Sequence, residues 1–299
     1  MLRPLLPLRF FWGPIVIAAV GLTVSAFLIP FMLPTTLFVC IILAVAVLTR
    51  GRPLVRLCLR IVTWRSRKAR TVALFFPASL EQSISAGEVV DTCQRDVDDL
   101  VALFQFPPSS KIAIYLFEQE RDINSLLGGN TYACAFIPFN AVLVPAGRSF
   151  QTMLRHELAH LFSARVGDLA PRLKSEGLAV WIECDGLVPT PDQAALTFLA
   201  KSGGLDSLLE PTLFDCPRTW RQCYDIAGSF TKFLIQRVGW AAYCQFYKAA
   251  GQANYGAVFE RSFSLSLARA EALWQESLKA EDESAKKLAE GDNGDVLRK

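Results

Sequence analysis

This 299-residue chain has two histidines, and they stand four residues apart in His156-Glu157-Leu158-Ala159-His160. On a helix, residues i and i+4 share a face, so both imidazoles can reach one metal ion. Neutral imidazole is a good zinc ligand. Glu157 stands beside the pair, where a carboxylate can take a proton from a metal-activated water. A catalytic zinc site needs a third protein ligand and keeps a fourth position open. Glu176, sixteen residues past His160 in the segment KSEGLAVWIECD at 174–185, can supply that ligand. Glu183 follows seven residues later, two turns along the same helical face. It can accept from the free nitrogen of a ligand histidine and fix the ring's tautomer. Asp168 and Asp185 are alternatives for that role.

The elements that must position these residues read as an α+β fold, a small mixed β-sheet followed by a mostly helical half. TVALFF at 71–76 and KIAIYLF at 111–117 read as strands. Between them, residues 85–104 place Val89, Val90, Cys93, Val97, Leu100, Val101 and Phe104 at helical spacing. A short helix is expected around 120–127, ending at Gly128-Gly129. Strands at 131–137 and 141–145 come next, joined through Pro138-Phe139-Asn140. Everything after Arg148 reads as helix and loop. Residues 281–299, charged and poor in apolar side chains, are expected to be a disordered tail. The catalytic domain is therefore expected to span 71–280.

Charge is distributed unevenly. Ten of the 31 Lys and Arg residues precede the first acidic residue, Glu81, so the remainder sets 21 basic against 28 acidic side chains. That balance argues against a nucleic-acid-binding domain and for a basic segment beside a membrane. Residues 10–49 carry no charged side chain, and Pro30 and Pro34 interrupt them. This predicts an N-terminal transmembrane helical hairpin within residues 1–52, its arms near 10–31 and 35–49. Residues 53–70 are expected to form a basic amphipathic helix on the lipid bilayer, with Arg52, Arg56 and Arg60 as its stripe. Positive charge at both ends of the hairpin places the catalytic domain in the cytoplasm, at a membrane of the bacterial inner-membrane kind. The eight cysteines show no zinc-finger or disulfide spacing. Scattered free thiols suit a reducing compartment.

HELAH followed by SEGLAVWIE resembles the gluzincin metallopeptidases, the peptidase MA-like group that includes the aminopeptidase N-type enzymes. In that group the Glu of the second helix is the third zinc ligand, and a second Glu often sits seven residues later. Glu176 and Glu183 match those positions. Residues 224–234, YDIAGSFTKFL, resemble the family helix whose tyrosine donates to the oxyanion, which implies that role for Tyr224. The resemblance covers roughly 71–278 and is most specific at 156–183. The aminopeptidase motif Gly-x-Met-Glu-Asn is missing. Gly128-Gly129-Asn130-Thr131-Tyr132 stands in its place and offers no carboxylate for a free substrate amine.

The expected activity is hydrolysis of peptide bonds in a peptide or protein substrate. It would use one Zn2+ per chain held by His156, His160 and Glu176, with Glu157 as base and Tyr224 as oxyanion donor. The alternative is a membrane-tethered zinc-binding pseudoenzyme or scaffold. An intramembrane protease is excluded, because Arg155, Glu157, Arg165 and Asp168 crowd the motif helix.

Overall fold

The computed structural model describes residues 64–127, 131–184, 190–199, 204–216 and 218–296. Its sheet has five strands, β1 (Arg65–Lys68), β2 (Val72–Phe76), β3 (Ile112–Phe117), β4 (Cys134–Phe136) and β5 (Ala141–Pro145), in the order β1-β2-β3-β5-β4. The three central strands run parallel, and each edge strand is antiparallel to its neighbour. Parallel neighbours need long crossovers. The first is α1 (Ala86–Phe104), and the second contains α2 (Glu120–Leu127) and β4.

Alternation in β3 divides the sheet's two faces. Ile112, Ile114 and Leu116 join the main core with Val97, Leu100 and Phe104 of α1. On the other face Phe117 and Leu143 pack with Ile123 of α2, and Trp64 meets Phe117 edge-on at 5.0 Å. The main core continues into α3 (Phe150–Ser163), through Leu154, Leu158 and Phe162.

The helical half follows as α4 (Arg172–Glu183), α5 (Pro191–Leu199), α6 (Trp220–Val238), α7 (Trp240–Ala249), α8 (Tyr255–Phe263) and α9 (Leu267–Val296). Helix α4 packs between α3 and α6. Two glycines allow the α4–α6 approach. A Cβ on Gly177 would lie 2.5 Å from the Ala227 carbonyl oxygen and 2.4 Å from Thr231 Oγ1. A Cβ on Gly228 would lie 2.2 Å from Val180 Cγ1. The start of α4 is fixed by Lys174, fully buried, whose ammonium donates to the carbonyls of Tyr247 (3.1 Å) and Ala250 at the end of α7. Burial pushes the Lys174 pKa down to about 8, with the Asp168 charge opposing.

Three expectations change. Among the described residues no helix is long and apolar enough to cross a membrane. The 19-residue helices have the length, but α1 carries five acidic side chains and α6 is charged along its course. Residues 1–52 lie outside the described residues, and the transmembrane hairpin is no part of the fold described here. The helix expected over 53–70 is replaced at its end by β1, whose residues RSRK pair with β2 as an exposed edge. The rest of 53–63 is also outside the described residues. Finally, α9 continues to Val296, into the segment expected to be disordered. The six described cysteines are all free.

The crossing glycines give the first prediction. Gly177→Ala and Gly228→Ala should each destabilise the protein by about 1–3 kcal/mol, the usual range for overpacking. Gly256→Ala, in α8 with open space at its Cβ position, should be neutral or stabilise by up to about 1 kcal/mol. Urea denaturation of the three variants measures the contrast.

Candidate metal centre

The last turns of α3 carry His156 and His160, and α4 carries Glu176 and Glu183. The α3–α4 packing brings three ligand atoms to one point. His156 Nε2 lies 3.1 Å from His160 Nε2 and 3.2 Å from Glu176 Oε2, and His160 Nε2 lies 3.3 Å from that same oxygen. Among the described residues this is the group of His, Cys, Asp and Glu side chains that could hold a metal ion. A tetrahedral zinc ion with bonds near 2.0–2.1 Å spaces its ligands about 3.3–3.4 Å apart. The observed triangle agrees to within a few tenths of an ångström. Two neutral imidazoles and one carboxylate are also a donor set that zinc accepts.

The tautomer of His156 follows from its outer contact. Nδ1 lies 2.6 Å from Glu183 Oε2. A carboxylate accepts, so Nδ1 carries the hydrogen and the Nε2 lone pair faces the triangle. Asp168, one alternative for this role, instead accepts from the Ala170 backbone N–H at 3.1 Å. Asp185 lies outside the described residues. His160 Nδ1 is buried and has no hydrogen-bond partner among the described residues.

Electrostatics bind the cluster together in the metal-free chain. Burial alone would lower the His156 pKa. The Glu176 and Glu183 carboxylates against it reverse that and hold the imidazole well above its usual value. Burial would raise Glu176, but His160 and His156 hold it well below the usual carboxylate range. Glu157 is buried beside them, and that burial raises its pKa despite the opposing pull of the two imidazoles. The backbone N–H of Ala135 also offers it a hydrogen bond. Glu157 therefore lies between the histidines and edge strand β4. Cys134, on that strand, is pushed up to about 11 by burial and by the nearby Glu157.

Tyr224, in the first turns of α6, reaches the same place. Its ring stacks on His156 at 5.8 Å, and Trp220 meets it edge-on at 5.7 Å. Trp220 in turn packs on Tyr132, just before β4, at 6.1 Å. Gly128–Asn130 lie outside the described residues. The structure thus brings His156, Glu157, His160, Glu176, Glu183 and Tyr224 together, while Asp168 is engaged by the Ala170 backbone. Sequence reading missed Arg172 and Asp215. Arg172 donates to Glu176 Oε1 and to the Tyr224 hydroxyl, and it pairs with Asp215. The signal for Arg172 was its i,i+4 spacing to Glu176. Asp215 gave none, because its pairing is purely tertiary. Compared with models of known protein families and with characterised proteins, the chain matches none.

The raised His156 pKa sets a sign for pH. Without metal, the charged His156 contributes stability that is present below the ordinary histidine pKa of about 6.5 and is lost as pH rises through the elevated folded value. A bound metal ion instead requires the neutral ring, so its affinity rises with pH. Melting temperatures with zinc and with chelator, from about pH 6 to pH 9, should therefore diverge as pH rises. Glu183→Gln should weaken zinc binding about 10–100-fold, by analogy with other carboxylates that hold a ligand histidine. Competition against a chelating dye measures it.

Proposed function

We propose that this chain is a zinc-dependent peptidase of the gluzincin type. The observation that carries the reading is the convergence of His156 Nε2, His160 Nε2 and Glu176 Oε2, with the Glu157 carboxylate buried on the same helix. A pure metal-holding site has no need of Glu157. The resemblance of the 156–183 segment to gluzincins points the same way.

Bound zinc would polarise the scissile carbonyl and lower the pKa of water in the open position. The chain's own groups have the following parts. Glu157 takes the water proton on its carboxylate and delivers it to the leaving amine. The Tyr224 hydroxyl donates to the carbonyl oxygen as charge develops there. Glu183 keeps His156 in the tautomer whose Nε2 is free to ligate. Strand β4 is the sheet edge next to Glu157, and an extended peptide can pair with such an edge through its backbone. Burial of the site by α3, α4 and α6 strengthens every charge interaction inside it.

The purified protein should carry about one zinc per chain, as a three-ligand site implies. Glu157→Gln should keep that zinc and lose about 10²–10⁴-fold in hydrolysis rate, the usual cost of a general base. Tyr224→Phe should cost about 10²–10³-fold, as for one oxyanion donor. Metal analysis and cleavage of an unbiased peptide library make the comparison. Equal cleavage by wild type and Glu157→Gln refutes the mechanism. Bound zinc with no cleavage by the wild type favours a zinc-binding pseudoenzyme.

A further inference from the structure

Arg172 opens α4, and its position is not explained by helix stability. A cation in the first turn opposes the helix dipole. An Arg placed four residues before a Glu is also the less favourable order for such a pair. Yet the side chain is 28% exposed and is committed to three partners. Nε and Nη2 each lie 3.3 Å from Glu176 Oε1. Nη2 also lies 3.0 Å from the Tyr224 hydroxyl. Nη1 donates to Asp215 Oδ1, and the guanidinium sits 5.3 Å from the Phe214 ring centre.

The two oxygens of Glu176 therefore have separate tasks. Oε2 faces both imidazoles, and Oε1 is occupied by the Arg172 fork. Guanidinium has donors and no acceptor. It can only donate to the Tyr224 hydroxyl, which leaves the tyrosine's own proton to be given elsewhere. A donor into a hydroxyl also strengthens that hydroxyl as a donor. One planar group thus fixes the orientation of the candidate third ligand and directs the proton of the candidate oxyanion donor.

We infer that Arg172, clamped from outside by Asp215, is a positioning residue that couples the metal-ligand carboxylate of Glu176 to the hydroxyl of Tyr224. The inference rests on the zinc-peptidase reading above. It places the control of metal affinity and of oxyanion donation on a single side chain.

The test uses the full chain, with zinc or cobalt as the probe. Arg172→Met keeps the apolar stem and removes the fork. It should fold as wild type by circular dichroism, bind zinc about 10–100-fold more weakly, and shift the visible spectrum of the cobalt-substituted protein. Arg172→Lys should restore little, because an ammonium cannot span Glu176, Tyr224 and Asp215 together. Asp215→Asn changes a side chain that is 73% exposed. It should give a smaller loss of affinity in the same direction, and it serves if Arg172→Met does not fold. Tyr224→Phe alone should leave zinc affinity unchanged. On any peptide the wild type cleaves, Tyr224→Phe should lower kcat in the wild-type background and cost little more in Arg172→Met. Wild-type zinc affinity and cobalt spectrum in both Arg172→Met and Asp215→Asn would overturn the inference while leaving the peptidase reading intact. Zinc bound by wild type with no peptide cleaved would end the peptidase reading, and the affinity comparison would still decide the role of Arg172.

Discussion

Where α4 crosses α6, Gly177 lies against the Ala227 carbonyl and Thr231, and Gly228 lies against Val180. Neither contact leaves room for a side chain. The absence of two Cβ atoms lets the helix backbones approach, and that approach sets where their flanking residues point. Glu176 is one position from the first glycine, and Tyr224 is one helical turn before the second. Widening the crossing would therefore separate the carboxylate from the hydroxyl, and Arg172 could no longer reach both. The packing of α3 on α4 depends on the same placement, because α4 is held between its two neighbours.

The site combines short-range and long-range order. Within α3, helix geometry alone puts His156 and His160 on one face. Within α4, the same geometry aligns Glu176 and Glu183. Tertiary packing then sets the two faces against each other so that three lone-pair atoms converge. Convergence of acceptors is costly unless a cation or a proton sits among them. Without a metal ion, the Glu176 and Glu183 carboxylates favour a proton on His156 and so raise its pKa. The buried Lys174 has a related part. Its ammonium ends the α7 carbonyl row and pins the first turn of α4, two residues before Glu176.

What the sequence made legible follows this division. His156, His160, Glu176 and Glu183 could be read because each pair is local and helical spacing places it. The strands at 72–76, 112–117 and 141–145 could be read because they are short apolar runs. Strand β1 could not, since RSRK has no apolar alternation and pairs as a solvent-exposed edge. The end of α9 is expected from its sequence to be disordered, because it is charged and poor in apolar residues. Its Ala, Glu, Lys and Leu residues nevertheless favour helix, and the helix runs to Val296. Arg172, Asp215 and the Tyr132–Trp220–Tyr224 aromatic series depend on contacts between distant segments. The expected membrane hairpin rests on an uncharged run broken by Pro30 and Pro34 with basic flanks, and no described helix is long and apolar enough to cross a membrane.

Strand order has a mechanical consequence. The N-terminal segment joins the domain at Trp64 and β1, while Glu157 and the candidate substrate edge lie at β4. These are opposite margins of the sheet, separated by four strand spacings, or about 19 Å. Any load carried through Trp64 enters the sheet at the margin farthest from β4. The load must cross three parallel strands, and Trp64, wedged against Phe117 and Tyr115, is its first anchor. A load entering at β1 and a peptide pairing at β4 would thus act on different margins of the sheet.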